Sequence, residues 1–382
     1  AFAALAALMG LAVTGVFIAE NASARREETG GIDDGAPPRR FRNRALVPVL
    51  LGWGWSFWAL FSFMAFALNA PDQADARAFT RETGPLIVTA AIIAPVVAAA
   101  AMLRVAERAP ALTSAAAGPL AAPPAGVQRA LDVLYGAVLT PMTDFIRRLG
   151  YGALLVLTLV LSYRFADLIW GAFAYPFYLG ENYGALGHTL DEVAIASKLF
   201  GTLMTFAGIA VGATAILRFG RMPCVFVGAV LAAATNLLFA DLALGGGGTD
   251  AFMRATGLYG VFGVLQPLAD YLGLEVTVGE KLSRLMIVIA AENLAVGFAS
   301  AASVVYLSSI VNPKHAAVQY ALLASLTMLI GSFGRGALGE LIETQGFAFV
   351  FYLTAALGSV AVVAAALEWR RQAVVAARAT AP

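Results

Sequence analysis

Hydrophobic residues in this chain run in long stretches separated by shorter polar ones. Nine stretches, roughly 1–19, 46–69, 85–103, 151–176, 192–217, 222–244, 284–311, 316–343 and 347–368, are candidates to span a bilayer. Each reaches the length of about 20 residues that a helix needs to cross about 30 Å of hydrocarbon. Lipid offers the backbone no hydrogen-bond partners, so such segments must be helices. The pattern predicts an all-α polytopic membrane protein.

The polar intervals set the orientation. Arg25, Arg26, Arg39, Arg40, Arg42 and Arg44 fall in the linker 21–45, and Arg104, Arg108, Arg129, Arg147 and Arg148 in the linker 104–150. Arg218, Arg221, Lys314, Arg370, Arg371 and Arg378 lie on the same side by alternation. The opposite loops carry few bases and an excess of acids, among them Asp72, Asp191, Asp250, Glu275 and Glu343. The positive-inside rule makes the first group and the C-terminus cytoplasmic. Nine crossings then place Ala1 outside, at the lip of a helix and without a basic n-region, so the pattern predicts a truncated chain with further helices upstream.

Between the helices the organisation is uneven. Residues 1–20 are one helix, 21–45 a Gly-, Pro- and Arg-bearing linker, and 46–103 a hairpin with Trp53, Trp55 and Trp58 near its inner end. The segment 104–150 opens with a low-complexity Ala/Pro stretch at 109–128. It closes with an amphipathic surface helix over 127–149, in which Leu131, Leu134, Tyr135, Val138 and Phe145 oppose Arg129, Asp132 and Arg148. Six helices fill 151–368, and 369–382 is a tail. The outer loop 245–283 contains a moderately apolar stretch, 257–274, which Gln266, Pro267 and Asp270 interrupt. That stretch belongs at the interface rather than across the membrane.

Composition agrees: 60% hydrophobic and 13% charged residues give a mean hydropathy of +0.79, far from a soluble domain. A net charge of +1 argues against a nucleic-acid partner. One cysteine, Cys224, and two histidines, His188 and His315, leave no disulfide framework or metal cluster. No P-loop, zincin helix or GxSxG elbow is present, which argues against a pump driven by ATP or a conventional hydrolase. No cofactor is expected, and the chain does not read as an enzyme.

The informative residues are the charges inside the apolar stretches, where each costs several kcal/mol. Arg164 and Asp167 are three apart on the fourth stretch and can pair. Lys198 lies about 9 Å, and Glu292 with Asn293 about 12 Å, below the outer ends of the fifth and seventh at 1.5 Å per residue. Arg164, Asp167, Lys198 and Glu292 sum to zero charge at similar depths, which allows one shared network. Two readings stand. The four could be ion pairs that hold helices together, or Asp167 or Glu292 could exchange a proton sensed by a polar solute nearby. Arg335, among Gly331, Gly334 and Gly336, could clamp a carboxylate or snorkel to the interface. Gly208 with Gly212, and Thr327 with Gly331, give small faces suited to close helix packing.

Three blocks carry a family resemblance. They are Ser162-Tyr163-Arg164-Phe165-Ala166-Asp167, then Asp191-Glu192-Val193 through Lys198-Leu199-Phe200-Gly201, and Glu292-Asn293-Leu294 followed by Ala316-Ala317-Val318-Gln319-Tyr320-Ala321-Leu322-Leu323-Ala324-Ser325-Leu326. On these the chain resembles the AmpG-type muropeptide permeases of the major facilitator superfamily, related to acetyl-CoA transporters. The resemblance covers the first helix and 140–368. It implies a major facilitator fold in which 1–20 ends the N-terminal bundle, 46–103 is an inserted hairpin and 151–368 is the C-terminal six-helix bundle. It further implies a monomer in the bacterial inner membrane that imports 1,6-anhydromuropeptides with protons. Tyr163, Asn293, Gln319 and Arg335 are the matching candidates for the substrate cavity. Half of that cavity lies in the absent bundle, so another solute, such as an acyl-CoA, drug or metabolite, or a non-transporting scaffold, stays open.

Overall fold

The structure is a computed structural model. It describes residues 39–69, 73–84, 86, 126–127, 136, 140–150, 152–164, 171–271, 273 and 276–379. The expected helix 1–19, the expected helix 85–103 apart from residue 86, the linker 104–125 and Asp167 lie outside the described residues, and so do the side chains of 325–337, Arg335 among them. No strand occurs among the described residues.

Helix α1 runs Arg39–Leu68 and covers the expected span 46–69 except its last residue. A short polar helix follows, α2 (Gln73–Glu82), whose Phe79 stacks on Phe66 at 4.1 Å. Helix α3 (Thr140–Leu149) is the described end of the expected surface helix. It buries Phe145 and Ile146 and leaves Arg147 and Arg148 outward, as its amphipathic pattern requires. Helix α4 (Gly152–Ser162) follows, and α5 (Ala174–Leu179) lies beyond the undescribed 165–170.

Helix α6 (Leu190–Val193) starts on a capping box, in which Thr189 Oγ1 accepts from Glu192 N and Glu192 accepts from Thr189 N. It leads without a break through a π-helical segment, Ala194–Phe200, into α7 (Gly201–Phe219). Gly220, at φ 84°, makes the turn into α8 (Arg221–Ala243), a left-handed conformation that favours glycine. Three short helices, α9 (Gly247–Thr256), α10 (Leu258–Gly263) and α11 (Gln266–Tyr271), follow within the expected loop 245–283. With six residues each, α10 and α11 are far too short to cross. Helix α12 (Glu280–Ile310) and the long α13 (Ala316–Ala379) complete the chain. Gly346, at φ 81°, breaks α13 into two arms, close to where the hydropathy pattern separates 316–343 from 347–368.

Four described segments are long and apolar enough to cross a membrane: Leu190–Phe219, Arg221–Ala243, Glu280–Ile310 and Leu338–Arg378. Shorter apolar helices occur at Phe57–Phe66 and Gly152–Ser162. In the bundle α12 packs against α7 and α8, and α13 against α8 and α4. Apolar side chains gather in two layers. One cluster joins Phe177, Phe239, Met253, Met286, Phe347 and Phe351, and a second, toward the arginine-rich end, joins Val156, Leu159, Val225, Tyr306, Ile310 and Ala365.

Glycines decide how closely α7 and α12 approach. A Cβ on Gly208 would run into the Leu294 carbonyl and stand 2.9 Å from its Cα, and one on Gly212 would meet Phe298 Cα at 3.0 Å. From the other side, a Cβ on Gly297 would strike the Thr205 carbonyl. Such backbone contact needs small residues on both helices. Gly208→Leu is therefore expected to lower stability by about 1–3 kcal/mol through overpacking. Gly260→Ala, with open space at its Cβ, should leave the melting temperature unchanged. Thermal unfolding in one detergent compares the two, and equal stability of G208L and wild type would refute the seam.

Candidate functional site

Between the two apolar layers lies a belt of polar side chains from five parts of the chain. Just past α4, Arg164 Nη1 donates to Ser300 Oγ of α12 at 2.5 Å. Thr205 of α7 donates through Oγ1 to Asn293 Oδ1 of α12 at 2.8 Å, and Asn293 Nδ2 donates to the Ile289 carbonyl at 2.9 Å. Thr354 of α13 donates to Asn236 Oδ1 of α8 at 3.0 Å, with both side chains fully buried. A polar group away from water costs several kcal/mol unless it is bonded. Each of these pairs therefore fixes one helix against another at mid-height.

At the edge of the belt, the π-helical segment carries Lys198. Its wider turn bonds Gly201 N to the Ala196 carbonyl, and single π turns cluster at functional positions. Lys198 Nζ sits over the Tyr175 ring at 5.2 Å from the centroid and is exposed in this chain. Tyr178, one turn along α5 from Tyr175, is buried and lies within the field of the Glu292 carboxylate. Lys198 is thus in contact with Tyr175, while Glu292 reaches Tyr178 through its electrostatic field. The tyrosines are absent from the sequence reading, although Tyr175-Pro176-Phe177-Tyr178, an aromatic cluster around a proline at a helix end, was a legible signal.

The remaining candidates are placed elsewhere. Tyr163 packs into the second apolar cluster, 5% exposed, with its hydroxyl against Gly228, where no side chain would fit. Gln319, 3% exposed, sits in a polar knot at the arginine-rich end of the bundle. Its amide donates to the Pro141 carbonyl at 2.7 Å and to Asp144 Oδ2 at 3.0 Å, and its oxygen accepts from Asn312 N at 2.7 Å. Asp144 also accepts from Arg148 at 3.1 Å and Asn312 at 3.0 Å. Gln319 is thus brought together with α3 and the α12–α13 turn, away from Lys198, Glu292 and Asn293. Asp167 and the Arg335 side chain lie outside the described residues.

The opposite end holds a second knot. His188, 6% exposed, bonds through Nδ1 to Glu192 Oε2 at 3.0 Å, beside the Lys281 ammonium that donates to the Gly187 carbonyl at 2.7 Å. Tyr183, itself at φ 60°, offers its carbonyl to Phe347 N at 2.9 Å where Gly346 breaks α13. Arg254 bridges Asp250 and Glu280 at 2.9 and 2.7 Å and ties α9 to the start of α12. No group of three or more His, Cys, Asp or Glu able to hold a metal is found among the described residues.

Apolar crossing helices with a polar belt between two greasy layers define the class: an all-α, multi-pass membrane protein. Comparisons narrow it. The chain is 27% identical over 217 residues, 57% of its own length, to a Rickettsia conorii protein named "Putative transporter AmpG 4". A Rickettsia felis protein of the same name is 27% identical over 218 residues. A Rickettsia prowazekii "Putative transporter AmpG 3" is 26% identical over 176 residues, 46% of the chain. The matched region spans less than half of these relatives, 43%, 43% and 33% of their lengths. No protein-family model matches the chain. The similarity is thus to proteins named as putative AmpG transporters, over about half of this chain.

Both knots lose stability as the pH falls, one through a histidine and the other through a carboxylate. Burial pushes the His188 imidazole below its ordinary value, aided by Lys281 and Arg284 and opposed by Glu192. Its folded value lies below the unfolded 6.5, so stability is complete above 6.5 and falls as the pH drops below it toward the folded value. His188→Gln should flatten that arm of a melting-temperature profile, and an unchanged slope would remove the assignment. Burial raises the Asp144 carboxyl, but Asn312, Gln319 and Arg148 outweigh it and hold the group below its ordinary 3.8. Its contribution is complete above that value and lost as pH falls through the folded one. Asp144→Asn at neutral pH should raise amide exchange across α3 about tenfold, matching one charged hydrogen bond. Exchange in α8 should stay as it is.

Proposed function

We propose that the chain belongs to a secondary transporter that imports 1,6-anhydromuropeptides together with protons. The membrane is the bacterial inner membrane, with the arginine-rich end of the bundle and the C-terminus in the cytoplasm. The observation that carries the reading is the belt, above all Glu292 and Asn293 on one turn of α12. Asn293 is tied to α7 through Thr205, and Glu292 acts on Tyr178 near the Lys198–Tyr175 contact. A carboxylate placed between apolar layers is a natural proton site, because desolvation favours its neutral form while a nearby cation restores the charged one. The mid-height of a helical bundle is where transporters bind solute, and charges retained there at several kcal/mol mark solute and proton paths. Muropeptide as the solute is supported by the AmpG-named relatives and by the three sequence blocks. The relatives' names give transport and AmpG alone, so an acyl-CoA, drug or other metabolite is the competing cargo.

Uptake of labelled anhydrodisaccharide-peptide into vesicles carrying the protein should accumulate against a gradient and stop when the proton gradient is dissipated. Glu292→Gln keeps size and hydrogen bonding but cannot ionise. It should fold and exchange solute yet lose concentrative uptake by at least about tenfold, in line with removing an acid–base group. Lys198→Met should weaken solute binding more than it alters folding, since Lys198 is exposed in the bundle. Concentrative uptake by E292Q at the wild-type rate would strike out the proton role. A panel in which acyl-CoA competes and muropeptide does not would replace the cargo.

A further inference from the structure

At the arginine-rich end an open cleft of about 400 Å³ lies between α4 and the last turns of α13, outside the belt. Leu155, Leu367, Val374 and Val375 wall it, and Arg370, Arg371 and Arg378 rim it. Positions 367, 370, 371, 374, 375 and 378 recur at three- and four-residue steps, so one face of α13 carries the aliphatic and the cationic side chains together. That mixture suits neither a buried helix stripe nor a plain water-facing one.

Arg371 is committed within the bundle. Its Nε and Nη2 donate to the Glu368 carboxylate at 2.6 and 2.8 Å, and Glu368 is fully buried. Its guanidinium lies across Gly152 at the start of α4, where a Cβ would meet it at 3.2 Å. Arg370 and Arg378 are exposed and have no ion-pair partner among the described residues. They hang over the apolar floor with their charge unanswered. The cleft also sits where the long apolar span Leu338–Arg378 runs out, and Trp369, 41% exposed, marks the interfacial level that indole rings prefer.

We propose that this cleft binds the phosphodiester headgroup of an anionic phospholipid, with Arg370 and Arg378 on the phosphate and an acyl chain along Leu155, Leu367, Val374 and Val375. Arginine's planar fork matches phosphate oxygens, and basic pockets at the membrane surface between helices take such headgroups. A soluble phosphate would answer the arginines but leave the four aliphatic side chains uncovered, so the lipid is the occupant that satisfies both halves of the cleft.

The test uses the purified protein in detergent, titrated with phosphatidylglycerol, phosphatidylcholine or inorganic phosphate. Binding is read by native mass spectrometry and by the shift in melting temperature. Wild type should prefer phosphatidylglycerol to phosphatidylcholine, and phosphate at equal concentration should not displace the lipid. The exposed pair R370Q/R378Q should melt like wild type in phosphatidylcholine and lose the preference by about 25-fold, about fivefold per arginine. Equal binding of both lipids by wild type would overturn the site without needing the variant. A double variant with full wild-type selectivity would overturn it too, and displacement by inorganic phosphate would make it a soluble-anion site and refute the lipid assignment.

Discussion

Close backbone contact between α7 and α12 is the constraint on which the rest of this bundle depends. In lipid, burying one apolar face against another gains little, because the surroundings are equally apolar, so association rests on close packing and on bonds between helices. Gly208 and Gly297 remove the side chains that would hold the two axes apart. Only at that separation does the Thr205 hydroxyl reach Asn293 at 2.8 Å. A small-residue seam and a polar contact are therefore one feature, and the belt inherits its geometry from the glycines.

The same logic sorts the polar side chains by height. Groups at the ends of the helices are tied in knots that combine side chains with loop backbone, as with Gln319, Asp144 and Asn312 at one end and His188, Glu192 and Lys281 at the other. Such knots fix turns, and water lies nearby if they open. Groups in the belt have no such alternative, and they pair helix to helix across the middle. Lys198 is the exception in kind: its charge is met by the face of a ring.

Helix α7 and the segment leading into it stand apart in burial. Only 17% of the most apolar window of Leu190–Phe219 is covered, against 56% for Glu280–Ile310. Lys198, Leu203 and Phe206 are exposed along it. The helix is tightly seated on one side through its glycines, and the described residues leave its other side uncovered. The proposed transport function places solute on that open side.

The sequence by itself determined the crossing helices α7, α8 and α12, the two arms of α13 divided near Gly346, and the placement of charge within them. These follow from local physics: hydrocarbon forbids an unbonded backbone, and a glycine at positive φ ends a helix wherever it stands. The Gly208 and Gly212 face was legible for the same reason, since small residues one turn apart have one use. Tertiary structure alone decided what those residues meet. Lys198 stands over Tyr175, Arg164 turns to Ser300, and Gln319 leaves the belt for a knot with Asp144, a residue more than 170 positions away. Helical periodicity fixes which face a side chain occupies but not which helix lies opposite, because partner choice depends on how all the seams pack at once.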